Sequence, residues 1–319
     1  MGSIRLAALV VIALSLTACM TLPGARALQA GNYDQVVQET TAAIERGSLP
    51  RTNEAGIYQL RGIAYLYKQQ YGPALMDLNH SIELYPGNDS AYSNIGVIYL
   101  LTDRNKQAID CFGKALEINS VSVDHRVNRG VAYRRDGQYE RAVSDFSEAI
   151  RRDRRNIPAY QGRSLAYSLQ RQNENALADA STIVELAPNS ARSYQSRCAV
   201  LDRLDKAQEA LVDCEKAGLL APDDADIMRD RASILLKLER FSDAISLYDA
   251  SLRVEPMNAD ALFGRGTARM ASGNGPAGSA DIEAARALDP DIAQKFDDPT
   301  RTVLRTELRL RGALPLFAR

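Results

Sequence analysis

The sequence predicts an all-α protein, a right-handed α-solenoid built from helix-turn-helix units. Three observations predict it: a 34-residue period, small residues at three fixed positions of that period, and a proline near its end. Seven units follow one another without a gap over 55–292. Their first residues are Ala55, Asp89, Val123, Ile157, Ala191, Ala225 and Ala259.

The small residues lie at positions 8, 20 and 27 of the unit. Two antiparallel helices approach closely only where their side chains are small, so these positions predict the helix–helix contact within a unit. The proline is at position 32 in five units, where it predicts the end of the second helix because it has no N–H to donate. Position 8 is occupied by Gly62, Gly96, Gly130, Ser164, Cys198, Ala232 and Gly266.

This pattern resembles the tetratricopeptide repeat (TPR) over 55–292. The resemblance implies that the first helices of the units line a concave groove that binds peptides or helices of partner proteins. It also implies that positions 2, 5, 6, 9, 12 and 13 of each unit face this groove. The candidate partner-binding residues are therefore Gln59, Tyr67, Asn94, Asn128, Arg134, Arg135, Gln161, Gln195 and Arg229.

Two further positions vary together. Position 7 is Arg in six of the seven units, and position 23 is Asp in five. The unit with Ile95 instead of Arg also has Cys111 instead of Asp. This covariation predicts an ion pair between the two helices of one unit, with a structural role.

The first residues of the chain predict where the protein is located in the cell. Arg5 precedes an eleven-residue apolar run that ends before Cys19, which is the pattern of a signal peptide and is too short to span a bilayer. The segment Leu-Thr-Ala-Cys resembles the bacterial lipobox, which implies cleavage after residue 18 and acylation of Cys19, with palmitate among the acyl chains. Met20 in place of Asp favours the periplasmic face of the outer membrane. The alternative is an ordinary signal peptide whose cleavage site happens to precede a Cys.

The segments outside the repeats predict caps at both ends. Residues 19–54 read as a short tether and a partial TPR unit with a long exit loop at 47–53. Residues 293–319 read as a capping helix and a basic tail. The tail, 300–319, has five Arg against Glu307 alone, with Val303, Leu304, Leu308 and Leu310 at amphipathic spacing. A frayed tail is favoured over binding to acidic lipid or to a partner.

Composition gives little support to catalysis. The chain has two His, four Cys and a net charge of −1, so neither a Cys/His metal site nor general nucleic-acid binding is expected. No nucleophile elbow, phosphate-binding glycine loop or zinc-protease motif is present. We therefore expect no enzyme activity and no cofactor beyond the lipid on Cys19. Cys198 and Cys214, at positions 8 and 24 of one unit, are either a disulfide or two buried thiols.

The expected function is a lipid-anchored scaffold that binds proteins of the bacterial cell envelope. The chain resembles the NlpI-type outer-membrane TPR lipoproteins, which implies that its partners are peptidoglycan hydrolases or a periplasmic protease. The alternative is an assembly lipoprotein of the PilF or TadD kind, which acts on the secretin of a pilus or secretion system.

Overall fold

The computed structural model describes residues 22–47 and 49–297, which form seventeen helices and no strand. The predicted signal peptide, Cys19 and the basic tail lie outside the described residues. The chain divides after Arg154 into two compact units, called unit 1 and unit 2. None of the described helices is both long and apolar enough to cross a bilayer.

Unit 1 contains the N-terminal cap and the repeats that start at 55, 89 and 123. The cap is formed by α1 and α2, and each repeat then contributes a first and a second helix. The helices are α1 (Ala25–Gln29), α2 (Tyr33–Arg46), α3 (Arg51–Tyr67), α4 (Tyr71–Leu84), α5 (Asp89–Leu101), α6 (Asn105–Ile118), α7 (Val123–Arg135) and α8 (Tyr139–Arg152).

Unit 2 contains the repeats that start at 157, 191, 225 and 259, followed by a short last helix. The helices are α9 (Ile157–Leu169), α10 (Asn173–Leu186), α11 (Ala191–Arg203), α12 (Ala207–Leu220), α13 (Ala225–Lys237), α14 (Phe241–Val254), α15 (Ala259–Ala271), α16 (Gly275–Leu288) and α17 (Ile292–Asp297).

The helix boundaries follow local chemistry. Asn88, Asn156 and Asn258 each precede a first helix and accept a hydrogen bond from the amide three residues later. The residue at position 15 has positive φ in all seven repeats and ends the first helix in the left-handed conformation. Only Gly137 and Gly273 are glycines there, and the other five have φ between 56° and 60°.

One predicted boundary is wrong. The sequence placed a loop at 47–53, but α3 begins at Arg51. Pro50, with φ −56°, accepts hydrogen bonds from the amides of Asn53 and Glu54 through its carbonyl oxygen. Because proline is pre-organised for a helix start and needs no amide donor, it begins the helix one turn before the repeat pattern does.

Within a repeat, the close contact joins position 8 of the first helix to position 24 of the second. A Cβ added to Gly96 or Gly130 would lie 2.8 Å from the ring of Phe112 or Phe146. Both rings are completely buried. Glycine at position 8 thus makes the space that a large residue at position 24 fills.

The predicted ion pair is confirmed in every repeat that has both residues. The Nε and Nη2 atoms of the arginine donate to the two carboxylate oxygens of the aspartate at 2.6–2.9 Å. The pairs are Arg61–Asp77, Arg129–Asp145, Arg163–Asp179, Arg197–Asp213 and Arg265–Asp281. For Arg163 the hydrogen bond to Asp179 raises the pKa of the guanidinium, with burial opposing it.

The arginine and the aspartate of the ion pair should contribute to stability together. We expect Asp179→Leu to lower the free energy of unfolding by about 1–3 kcal/mol, because it leaves a largely buried guanidinium without its carboxylate. Adding Arg163→Ile should recover most of the loss, since Ile95 and Cys111 already form an apolar version in the repeat at 89. Urea unfolding followed by circular dichroism measures both, and a single variant as stable as the parent would contradict the prediction.

Adding one methyl group to the glycine at position 8 should weaken the contact between the two helices of a repeat. We expect Gly130→Ala to destabilise unit 1 by about 1–3 kcal/mol, because the new Cβ overlaps the Phe146 ring. Gly113→Ala is the matched control, since nothing lies within 4 Å of its Cβ position in α6. The control should gain stability, up to about 1 kcal/mol, from helix propensity alone. Thermal unfolding of both variants tests this, and equal midpoints would refute the packing argument.

Candidate protein-binding surface

The first helices form the inner surface of each unit. In unit 1, α3 contacts α5 and α5 contacts α7, while in unit 2, α11 contacts α13 and α13 contacts α15. Five second helices also contact the first helix of their own repeat and the first helix of the next repeat. They are α4, α6, α10, α12 and α14. The inner surface of a unit comprises positions 2, 5, 6, 9, 12 and 13 of its first helices.

Several predicted binding residues of unit 1 are buried instead of open to a partner. Gln59, Asn94 and Arg134 are each exposed by 4% or less. Gln59 accepts a hydrogen bond from Asn88 Nδ2 at 2.8 Å. The expectation that these side chains are accessible is therefore corrected, because consecutive first helices pack too closely to leave their facing side chains in solvent.

The other candidates of unit 1 are half-buried. Tyr67 stacks on Tyr33 of the N-terminal cap, with ring centroids 4.5 Å apart, so it is a packing residue as well as a surface one. Arg135 donates from Nη1 to the carbonyl oxygen of Leu100 at 3.0 Å and thereby caps α5. Asn128 is half-buried on α7.

Polar contacts join the first helices of unit 2. Gln195 donates to Asp230 at 2.6 Å, and Lys237 donates to Asp202 at 2.6 Å, both from one first helix to its neighbour. Arg229 contacts Asp226 and lies 3.3 Å from Glu255. Gln195 and Arg229 are buried, which corrects the expectation of open side chains there, and Gln161 is half-buried.

One residue that the sequence analysis missed stands out on this surface. Arg203, at position 13 of α11, has buried Nε and Nη1 atoms with no hydrogen-bond partner among the described residues. Burial lowers the pKa of its guanidinium to about 10. Burial also lowers the pKa of Arg134 in unit 1, to about 9. A buried guanidinium is best accommodated by an acidic or carbonyl group, so Arg203 is a candidate contact for an acidic partner side chain.

Comparisons with known proteins identify the fold. A family model described as the ETO1 C-terminal domain matches residues 83–266, which is more than half of the chain. The chain belongs to the ETO1 C-terminal domain family. No curated protein sequence matches it.

Solved structures similar to this family member are TPR proteins and assemblies. A tetratricopeptide repeat protein from Parabacteroides merdae is 18% identical, with TM-score 0.61, over 81% of this chain and 98% of that one. The anaphase-promoting complex assembly Cut9–Hcn1 is 14% identical, with TM-score 0.60, over 84% and 52%. Yeast Tom70 is 17% identical, with TM-score 0.55, over 88% and 60%. The predicted TPR fold is confirmed, whereas the narrower likeness to NlpI-type lipoproteins stays a prediction.

The two histidines of this TPR protein lie in different repeats, His80 on α4 and His125 on α7. His125 is buried, with Nε2 at 3.0 Å from Asp89 Oδ2, and Asn119 Nδ2 donates to the same oxygen at 2.9 Å. Burial raises the pKa of Asp89, but the bonds from His125 and Asn119 outweigh it and the net shift is downward. This cluster joins the repeats at 89 and 123. No group of three or more His, Cys, Asp or Glu placed for a metal occurs among the described residues.

The cysteines of the TPR units differ in state. Cys198 of α11 and Cys214 of α12 form a disulfide, with Cα atoms 5.6 Å apart. The bond takes the place of the contact between positions 8 and 24 in this repeat. Cys111 is a thiol whose pKa burial raises to about 11, so it is protonated at neutral pH and a poor nucleophile.

The disulfide should stabilise the repeat at 191. We expect reduction by dithiothreitol to lower the free energy of unfolding by about 3 kcal/mol, the value for a loop of this length in the chain-entropy model. The double variant Cys198→Ala/Cys214→Ala, which cannot form the bond, serves as the control and should not respond to the reductant. A parent protein whose urea midpoint is insensitive to dithiothreitol, or a non-reduced digest with both thiols free, would contradict the prediction.

Proposed function

We propose that this protein is a non-enzymatic scaffold that binds partner proteins through the inner surfaces of its TPR units, held by a lipid on Cys19 at the periplasmic face of the outer membrane. The observation that carries the binding role is the inner surface itself. In each unit it is built from the first helices of consecutive repeats. It combines half-buried polar side chains such as Asn128 and Gln161 with the incompletely paired Arg203.

The TPR fold supports a scaffold in preference to an enzyme, because proteins with this fold are generally non-catalytic scaffolds. The described residues of the inner surfaces bring together polar side chains that can hydrogen-bond to a partner. A partner that lies along an inner surface meets amide and guanidinium donors, which suit the backbone carbonyls and acidic side chains of a peptide or helix.

Two features support the proposed location in the cell envelope. The lipobox-like segment before Cys19 suits an acylated lipoprotein, and more than one acyl chain would hold it stably in a membrane. The disulfide between Cys198 and Cys214 suits an oxidising compartment such as the periplasm. For a protein at the periplasmic face of the outer membrane, the expected partners are peptidoglycan hydrolases or a periplasmic protease.

Affinity purification tests the binding role and the partner class together. The full chain is captured from detergent-solubilised envelope, and we expect hydrolases or a protease in the eluate. The variant Asn128→Arg/Gln161→Arg places a large cation on each inner surface and should lower recovery at least severalfold. Gln107→Arg/Asn175→Arg adds the same charge to exposed sites on second helices and should leave recovery unchanged. Secretin or pilus subunits in the eluate would favour the assembly alternative.

The lipid anchor is tested separately. Cys19→Ala should abolish incorporation of labelled palmitate and move the protein out of the membrane fraction, while the TPR units keep their helical circular dichroism. A parent chain that takes up no label and co-purifies only with cytoplasmic proteins would overturn the proposed location.

A further inference from the structure

Exposed apolar side chains of unit 1 lie mainly along one edge. A second helix ends at the edge where the first helix of the next repeat begins. The loop edge of unit 1 comprises these connections, at 85–88 and 119–122, the helix ends that flank them and the start of α3. Four large apolar side chains are exposed among the described residues of unit 1, and three of them lie at the loop edge. These three are Tyr85 (48% exposed), Ile118 (43%) and Val121 (69%).

The chain enters unit 1 at the same edge. Leu22 packs against Gly56 of α3, which is the second residue of its repeat and is therefore level with the first turn of α5. Cys19 precedes Leu22 by three residues, which span about 10 Å when fully extended. The opposite edge is one helix length away, about 20 Å for a helix of this size. A lipid on Cys19 therefore brings the loop edge of unit 1, and not the opposite edge, next to the bilayer.

The side chains at the loop edge have the chemistry of a membrane interface. Tyr85 combines an aromatic body with a polar hydroxyl, a combination that suits the level of the lipid headgroups. Ile118 and Val121 offer aliphatic surface that gains free energy on leaving water.

Charge does not decide what the loop edge binds. Exposed Arg51 and Arg154 lie there together with exposed Glu83 and Glu117, so both signs are represented. Attraction to an anionic surface would need an excess of cations. The contact is therefore expected to be apolar and to persist at high salt.

We infer that the loop edge of unit 1 lies against the bilayer that holds the lipid on Cys19. Tyr85, Ile118 and Val121 enter the boundary between headgroups and acyl chains, as the apolar faces of interfacial proteins do. The inference rests on the lipid anchor of the proposed function and adds a second point of contact to it.

Two points of contact orient unit 1, whereas a lipid alone would leave it free to rotate. The helices run from the loop edge to the opposite edge, so they stand on the bilayer. The inner surface of unit 1 then faces sideways, where a partner protein in the periplasm can reach it.

Single-tryptophan fluorescence tests the contact, because the chain contains no tryptophan. The full acylated chain is purified from membranes and reconstituted into vesicles of phosphatidylcholine with brominated acyl chains, which quench indole on contact. We expect the fluorescence of Val121→Trp and Tyr85→Trp to be about twofold lower than in unbrominated vesicles, since the indole would reach the acyl boundary. Met76→Trp is the matched control, because Met76 is 74% exposed but lies in the first half of α4, away from the loop edge. Its fluorescence should be the same in both kinds of vesicle.

Two further measurements separate the edge from the probe. Adding Ile118→Ser/Val121→Ser to Tyr85→Trp should remove the quenching if the native aliphatic side chains hold the edge on the bilayer, while circular dichroism shows the unit folded. Raising the salt to about 1 M, where charges are screened within about 3 Å, should leave the quenching of Val121→Trp unchanged.

The other outcomes overturn the inference in distinguishable ways. Equal quenching of all three tryptophans, or none in Val121→Trp on vesicles that carry acylated protein, would refute the orientation while the anchor stands. A blue shift of Val121→Trp without quenching would indicate a protein contact, such as a second copy, and would refute it as well. A purified chain without lipid on Cys19 would overturn both the anchor and the orientation. Partner capture by the inner surfaces is measured separately and does not depend on any of these results.

Discussion

Everything in these TPR units depends on how closely two antiparallel helices approach within one repeat. The contact between positions 8 and 24 is met in several ways, each of which keeps one side small when the other is large. Gly96 faces Phe112, Ala232 shares its repeat with the fully buried Tyr248, and Cys198 is bonded to Cys214. A glycine or alanine at position 8 accompanies an aromatic ring at position 24 in the repeats at 89, 123 and 225, as expected for interiors that pack at near-crystalline density.

The charged pair between the two helices of a repeat also connects neighbouring repeats. The arginine at position 7 donates to the aspartate of its own repeat, and in the repeats at 55 and 259 it also donates to the preceding helix. Arg61 donates to Thr41, and Arg265 donates to Asp249. In the repeat that lacks the aspartate, Arg231 donates instead to Glu215 of the preceding repeat. The guanidinium therefore fastens neighbouring repeats as well as the two helices of one, a role that suits its planar set of donors.

The fold was predictable from the sequence because the signals that specify it are periodic. Small residues, prolines and the paired Arg and Asp recur every 34 residues, so even a covariation within seven repeats identified a real contact. The start of α3 was not predictable from the period, because Pro50 acts locally. Arg203 was missed because its distinguishing property is burial, which no residue type reveals.

Accessibility of the binding surface was the least predictable property. Gln59 and Gln195 have the same position in their repeats, and both were expected to face a partner. In the structure Gln59 accepts from Asn88 and Gln195 donates to Asp230, because neighbouring first helices bring those groups within reach. Such contacts depend on the distance between repeats, which a sequence period does not encode. An inner surface whose polar groups already have internal partners selects for ligands that bring charge of their own.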